Sequence, residues 1–288
     1  MKMRGKGLDK NFILLNVGYA YHDADWNWKE VNSPFIRMHY VKKGRAKIIR
    51  DDGEQELREG NLYLTPSYVK HSYECNGVLE LYYIHLYEDP GNELSIFELI
   101  DFPVEVVSSR VDLLLIERLI NINPGRELKH YDPKTYNDSS TLAQNIALQK
   151  KSPLANEMET RGIVNVLFSR FLAPATYKKE HLEERVLKCL LHIHRNLDKQ
   201  VDIDQLAAIC YLTKDHFIRL FNKEMHCTPR KYINRKKIEA AQLKLLIEDT
   251  SIKEIAFGLG FDNVSYFNRL FNKLTGESPG QYRKRMQT

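Results

Sequence analysis

From Phe35 to Leu86 apolar and polar residues alternate in short runs, broken by turn residues about every 8–12 positions, the pattern of an all-β sandwich or barrel. The predicted strands are Phe35–Val41, Arg45–Arg50, Gln55–Arg58, Leu62–Thr65 and Leu79–Leu86, with Asp51-Asp52-Gly53 as a hairpin turn. Beyond Asp89-Pro90-Gly91 the apolar period lengthens from two to about three and a half. Val111, Leu114, Leu115, Arg118 and Leu119 predict one amphipathic helix, and Val164, Leu167, Phe168, Phe171 and Leu172 predict another within Leu154–Leu172. Asn123-Pro124-Gly125 and Asp132-Pro133 place loops between them. Pro174 to His181 carries no apolar period and marks the domain boundary. From Leu182 onward every segment reads as helix, the first with Leu182, Val186, Leu190, Ile193 and Leu197 on one face. The expected architecture is therefore α+β in two domains: a β-barrel with following helices over 1–177, and an all-α domain over 178–288.

The all-α part contains a duplication. Phe217, Arg219, Leu220, Phe221, Asn222, Lys223, Pro229 and Tyr232 recur fifty positions later as Phe267, Arg269, Leu270, Phe271, Asn272, Lys273, Pro279 and Tyr282. Upstream, Ile203, Leu206 and Ala207 align with Ile252, Ile255 and Ala256 in a register one shorter, so the second copy has one extra residue in its turn. Each copy reads as a short helix, a turn and a second helix, about 203–223 and 252–273. Ser251 is placed to cap one short helix, Asp202 or Asp204 the other, and Thr213 and Asp262 the second helices. Gly260 suits a turn residue with positive φ. This is the helix-turn-helix, whose second helix enters the DNA major groove. Pro229 suits the first position of a connecting helix reaching about Asp249, roughly 31 Å long at ~1.5 Å per residue. That nearly matches the ~34–36 Å between successive major-groove segments.

Charge reinforces this. Residues 178–288 carry 21 Lys and Arg against 14 Asp and Glu, whereas 1–177 are slightly acidic. A local basic excess suits double-stranded DNA as partner. The alternative is an interaction domain whose repeats merely stack, for which about three or more repeats would be expected. No run approaches the ~18 apolar residues of a membrane helix. Met1 to Lys10 holds Lys2, Arg4, Lys6 and Lys10 without an apolar signal core, so a cytoplasmic protein is expected. The four cysteines form no C-x-x-C pair and read as reduced, mostly buried thiols.

Leu206-Ala207, Arg219 to Lys223, Ile255-Ala256, Gly260-Phe261, Ser265-Tyr266-Phe267, Arg269 to Lys273 and Gly276-Glu277-Ser278-Pro279-Gly280-Gln281-Tyr282-Arg283 together resemble the AraC/XylS family of bacterial transcription regulators, over about residues 182–286. The N-terminal part resembles the cupin-like ligand-binding domain of arabinose-type members. It does so through His39-Tyr40-Val41 before Gly44, Gly60, Pro66, His71-Ser72-Tyr73 and Tyr82-Tyr83-Ile84-His85. Where the family has a small residue or Gly after the first recognition helix, this chain has His226-Cys227. The resemblance implies a DNA-binding regulator with an effector in the barrel, dimerising through the following helices, with RNA polymerase as a further candidate partner. It also implies base-facing positions: Lys214, Asp215, Ile218 and Arg219 in the first unit, and Asn263, Val264, Ser265, Asn268 and Arg269 in the second. Arg219 and Arg269 can fork to guanine and Asn263 and Asn268 can pair with adenine. The competing role for the two arginines is an ion pair between the helices. Lys223, Lys231, Arg235 and Lys273 are candidates for phosphate contact, against a merely solvated basic face.

The barrel offers chemistry of its own. Strand alternation puts Arg37 and His39 on one face, and Tyr83 and His85 on one face. With His71 these are the candidate effector-binding residues, suited to a sugar-like or other polar metabolite, unless they are simply satisfied polar groups on an exposed sheet face. Between residues 35 and 90 there is no H-x-H pair, so neither a metal centre nor catalysis is expected, and no cofactor is implied. Two alternatives remain: a DNA-binding regulator without an effector, and a cupin-type binding protein or enzyme whose helical tail mediates protein contacts.

Overall fold

The computed structural model describes residues 11–89, 94–128, 130–131, 152–177 and 183–287. The chain forms two compact units. One comprises residues 1–89 and 101–176, the other 90–100 and 177–288. The Asp132-Pro133 loop, Leu182 and the N-terminal basic stretch lie outside the described residues.

The first unit is built from two antiparallel sheets. One has the order β1 (Asn11–Asp23), β8 (Val78–Asp89), β3 (Ile36–Gly44), β6 (Asn61–Thr65), β9 (Glu105–Val107); the other runs β2 (Trp28–Val31), β7 (His71–Glu74), β4 (Ala46–Arg50), β5 (Gly53–Leu57). Their inward residues share one core, with Ala20, Val41 and Leu81 from the first sheet meeting Ile48, Leu57 and Tyr73 from the second. The predicted hairpin is present, with Arg50 paired to Gly53 across Asp51-Asp52. Strands β1, β2, β7 and β9 are additions to the predicted set. The alternation in β1 is interrupted by a bulge between Leu14 and Asn16, where Leu14 and Leu15 are both buried.

Two helices follow, α2 (Arg110–Ile122) and α3 (Leu154–Leu172). Helix α3 buries Val164, Leu167, Phe168 and Phe171 as its period predicts, whereas Leu172, the last residue of the predicted face, is exposed. In α2 the buried face runs through Asp112, Ile116, Leu119 and Ile122, leaving Val111 and Leu114 exposed, so the predicted apolar stripe is rotated. Asp112 fixes that rotation. Its carboxylate accepts from the Ser109 backbone N–H and hydroxyl at 2.7 Å each and from Arg170 Nε at 2.8 Å, which places it inward.

The second unit contains α4 (Glu184–Arg195), α5 (Ile203–Ile209), α6 (Lys214–Met225), α7 (Pro229–Ile247), α8 (Ile252–Gly258), α9 (Val264–Thr275) and α10 (Pro279–Gln287). It also includes a one-turn helix, α1 (Ile96–Leu99), opened by a Ser95–Glu98 capping box. Leu94 lies in the core formed by Val186, Leu190, Leu206, Phe217 and Phe221, and Leu99 packs against it. Glu98 is buried among α4 and α7 side chains. Its carboxylate accepts from Tyr232 Oη at 2.5 Å and lies 3.0 Å from Lys236 Nζ and 3.2 Å from His194 Nε2. Burial alone would raise its pKa, but Lys236 and the hydrogen bonds hold it well below the usual carboxylate range. The cysteines are free and buried, and among the described residues no helix is long and apolar enough to cross a membrane.

Candidate nucleic-acid interface and ligand cavity

The two helix-turn-helix units share one backbone device. In the first, the N–H of Leu212 bonds the carbonyl of Ala207 and that of Tyr211 bonds Ala208; in the second, Phe261 bonds Ala256 and Gly260 bonds Phe257. Both are Schellman-type ends, which need a left-handed residue after the helix. Gly260 supplies it at φ +64°, and Tyr211 at the repeat-equivalent position takes φ +54° with its side chain 94% exposed. The recognition helices end alike: Gly276 closes α9 at φ +85°, and His226 closes α6 at φ +52°. The atypical His226-Cys227 thus keeps the turn while spending a non-glycine residue on it.

Phe217 and Phe221 of α6, and Phe267 and Phe271 of α9, are buried, so the opposite faces look outward. Lys214, Asp215, Arg219 and Lys223 are exposed on α6, as are Ser265, Asn268, Arg269 and Lys273 on α9. Ile218 is half-buried and packs against the core, and Val264 is half-buried. Lys214 Nζ lies 2.8 Å from Asp204 Oδ2, and Arg219 Nε donates to the Asp215 carbonyl at 3.4 Å. No ion pair joining Arg219 or Arg269 to another helix occurs among the described residues. Asn263 is the N-cap of α9: its Oδ1 accepts from the Tyr266 N–H at 3.0 Å, the role the sequence offered to Asp262. Thr213 occupies the N-cap position of α6 without a capping hydrogen bond.

Helix α7, capped by Thr228 with Pro229 at its start, ends at Ile247, two residues short of the expected Asp249. It spans about 28 Å. Lys231 and Arg235 are exposed on it; Arg235 lies over the Tyr232 ring at 5.5 Å. Lys237, unmarked by the sequence pattern, is buried and donates from Nζ to the carbonyls of Lys199 at 2.7 Å and Gly260 at 3.2 Å. It ties the loop before the first unit to the turn of the second. Its pKa is lowered by burial, against the opposing pull of Asp262 and Asp198.

In the first unit the register pairs Arg37 with His85 and His39 with Tyr83 across β3 and β8, bringing all four to one inner face. They line a cavity of about 10 Å³ with His22, Trp26, Leu128 and Tyr131. That holds roughly one water molecule. His71 is buried beside this group rather than in its lining. Its Nδ1 donates to the Val69 carbonyl at 2.8 Å, which leaves Nε2 to accept from Tyr73 Oη at 2.9 Å, a neutral tautomer. Burial, then the charge of Arg37, lowers the pKa of His39 and His71 to about 3 and that of His85 well below its ordinary value. These groups are therefore enclosed, not displayed on an exposed face.

Leu128 and Tyr131 cover the cavity. Arg126 donates to the Leu14 carbonyl at 2.5 Å, and its own carbonyl accepts from Val17 N at 3.1 Å, beside the β1 bulge. Leu128 N–H donates to Tyr83 Oη at 2.8 Å and Tyr131 Oη to the Tyr19 carbonyl at 3.2 Å. The sequence pattern missed His22, Trp26, Leu128 and Tyr131. Only the aromatic and histidine content of Tyr19 to Trp26 could have signalled the first two. Among the described residues no group of three or more His, Cys, Asp or Glu is gathered to hold a metal ion.

Residues 206–285 match the family described as a helix-turn-helix domain, and residues 15–103 that described as an AraC-like ligand binding domain. The chain belongs to the AraC family. Its curated relatives are transcriptional regulators. The MmsAB operon regulatory protein of Pseudomonas aeruginosa is 33% identical over 96 residues, 33% of this chain and 31% of its own length. The uncharacterized HTH-type transcriptional regulator YfiF of Bacillus subtilis is 27% identical over 262 residues, 86% of this chain and 76% of its own. ToxT of Vibrio cholerae, crystallised with an unsaturated fatty acid, shares the fold with TM-score 0.51 and 14% identity over 96% of this chain and 95% of its own. The AraC-family assignment thus covers both units: a ligand-binding sheet domain and a helical DNA-binding region.

Proposed function

We propose that this AraC-family protein is a sequence-specific DNA-binding regulator that inserts α6 and α9 into successive major-groove segments, under control of a small molecule held between the two sheets. The duplication of a capped helix-turn-helix with an outward arginine at the same position, Arg219 and Arg269, carries the proposal. Each arginine is free to fork to a guanine, contributing ~1–3 kcal/mol of discrimination. Asn268 presents its whole amide to a base, while Asn263 has only its NH₂ left after capping. Lys223, Lys231, Arg235 and Lys273 fix the register on phosphates. Arg37, His39, Tyr83 and His85 hold the effector, with His71 orienting Tyr73 beside them. The fatty acid in ToxT supports a ligand role for this fold. The exposed Val111 and Leu114 of α2, and Leu154 and Met158 of α3, support dimerisation through these helices in a cytoplasmic protein.

The test is retention of sheared genomic DNA by the full chain near physiological salt, against the Arg219→Ala/Arg269→Ala double variant. Enrichment of a few sites, lost in the variant, is the expected result. Retention of nothing above background, or a retention indifferent to salt, removes the DNA role, since phosphate contacts make affinity fall steeply with salt.

A further inference from the structure

The first helix-turn-helix unit encloses two thiols that no local motif pairs. Cys189 lies midway along α4 and Cys210 is the C-cap of α5, 21 positions further on, and the fold brings their sulfurs to 2.8 Å, both fully buried. A disulfide bond measures about 2.05 Å, so an approach of less than ~1 Å joins them. Packing does not demand sulfur at this place: the repeat-equivalent of Cys210 in the second unit is Leu259, also buried. The two thiols also donate weakly to backbone, Cys189 to the Leu206 carbonyl at 3.3 Å and Cys210 to the Arg185 carbonyl at 3.4 Å. Removing the S–H hydrogens does not orphan Leu206, whose carbonyl also accepts from the Cys210 N–H at 3.2 Å. By contrast Cys75 belongs to the sheet unit, with its Sγ donating to the Gly77 carbonyl at 3.0 Å.

We propose that Cys189 and Cys210 are a modification site, a dithiol that a hydroperoxide oxidises to a disulfide, bolting α4 to the end of α5 and stabilising the helical unit. Cys210 reacts first. It ends a seven-residue helix and precedes Tyr211, left-handed at φ +54° and 94% exposed, so opening of that one turn admits the peroxide, whereas Cys189 is held mid-helix. Burial, then the hydrogen bond with Cys210, pushes the Cys189 thiol up in pKa, so it keeps its proton at this stage. The Cys210 thiolate attacks one peroxide oxygen: an S–O bond forms, the O–O bond breaks, and the departing oxyanion takes up the proton that the thiol released. The Cys189 sulfur then attacks the sulfenic sulfur; the S–S bond forms as the S–O bond breaks, and the leaving hydroxide carries off the Cys189 proton as water. Two thiols lose two electrons, and one hydroperoxide is reduced to an alcohol and water, or to two waters when it is hydrogen peroxide. The bridge closes a loop across the 21-residue separation and removes that freedom from the unfolded chain alone. Enclosed as it is, it is shielded from exchange with soluble thiols once formed.

The test exposes the full chain, reduced and then freed of reductant, to hydrogen peroxide under native conditions. Intact mass, thiol titration in denaturant and non-reducing peptide mapping read the chemistry, and circular dichroism at 222 nm reads Tm. Free thiols are expected to fall from four to two, the mass to drop by two hydrogens, and the linked peptides to be those of Cys189 and Cys210. The helical transition is expected to rise by roughly 5–15 °C and to return when the chain is unfolded, reduced and refolded. In Cys189→Ala the Cys210 sulfenic acid is expected to accumulate and to be trapped by dimedone, and Cys75→Ala/Cys227→Ala is expected to keep the whole response. Because emptying a core position can disturb folding, the peptide map of the unsubstituted chain decides the linkage without any variant. Four thiols that survive peroxide in the native chain but not in the urea-unfolded one overturn the proposal. So do bridges that involve Cys75 or Cys227, oxygen added without a bridge, or a helical transition that falls when the bridge forms.

Discussion

Gly260→Ala is the most informative single substitution in the DNA-binding unit. A Cβ there would stand 2.4 Å from the Lys199 carbonyl carbon, 2.6 Å from its oxygen and 2.9 Å from Gln200 N. All three are backbone atoms, so relief requires moving the loop that Lys237 holds through the Lys199 and Gly260 carbonyls. Losing a hydrogen bond to that ammonium costs ~1.5–3 kcal/mol. The left-handed φ of +64° adds ~1–2 kcal/mol for a residue with a Cβ, offset by ~0.5–1 kcal/mol from the lower unfolded-state entropy of alanine. The net expectation is a loss of about 2–4 kcal/mol, a large part of the ~5–15 kcal/mol typical of a domain. Tyr211→Gly, at the repeat-equivalent turn, should instead stabilise by about 0.5–1 kcal/mol, because it removes strain without opening a core. Both tryptophans, Trp26 and Trp28, lie in the sheet unit, so their fluorescence reports that unit while circular dichroism at 222 nm follows the helices. In urea the helical midpoint of Gly260→Ala should fall by roughly 1–2 M with the fluorescence midpoint unmoved. A shift below about 0.3 M, or a destabilised Tyr211→Gly, would refute the claim that both turns are governed by the same left-handed residue.

Three further outcomes are expected. Because His39, His71 and His85 have folded-state pKa values pushed below the ordinary 6.5, their neutral forms stabilise the sheet unit above that pH; stability is lost as pH falls from about 6.5 towards 3. The loss is roughly 1.4 kcal/mol per histidine at about pH 5.5, readable as a fall in the tryptophan-monitored urea midpoint. His226→Gly should raise the stability of the helical unit by about 0.5–1 kcal/mol through relief at φ +52°, measured as Tm, and should leave DNA retention intact. Lys237→Met leaves two carbonyls without their donor and should cost about 2–3 kcal/mol in the helical transition, with DNA affinity falling in parallel because both units share that anchor.

What could be read from sequence follows the range of the forces involved. The helix-turn-helix pair was legible because its caps, alanines, turn glycine and phenylalanine spacing all act within a few residues. Even there the cap of α9 fell on Asn263 rather than Asp262, since neighbouring side chains of equal capping ability are separated only by the length of the turn. The inward convergence of Arg37, His39, Tyr83 and His85 followed from strand alternation once β3 and β8 paired in register. Strand β1 was missed because the bulge after Leu14 breaks its period of two. The cover over the cavity was unreadable for a different reason: Arg126, Leu128 and Tyr131 acquire meaning only from partners more than forty positions away. Helix α1 spans four residues, too few for any period to show.

That short helix bears on how the protein can be cut and recombined. The DNA-binding half is discontinuous in sequence, since residues 90–100 belong to it although they are bracketed by the ligand-binding half. A chimera joined only near residue 178 would carry Lys236, Tyr232 and His194 without the Glu98 carboxylate they converge on, and would bare the Leu94 site in the α4–α6 core. Breaking a buried ion pair by deleting one member costs ~3–5 kcal/mol. Exchange of effector specificity between such regulators therefore has to transplant two junctions together, so the module that evolution can shuffle is larger than the stretch of chain that touches DNA.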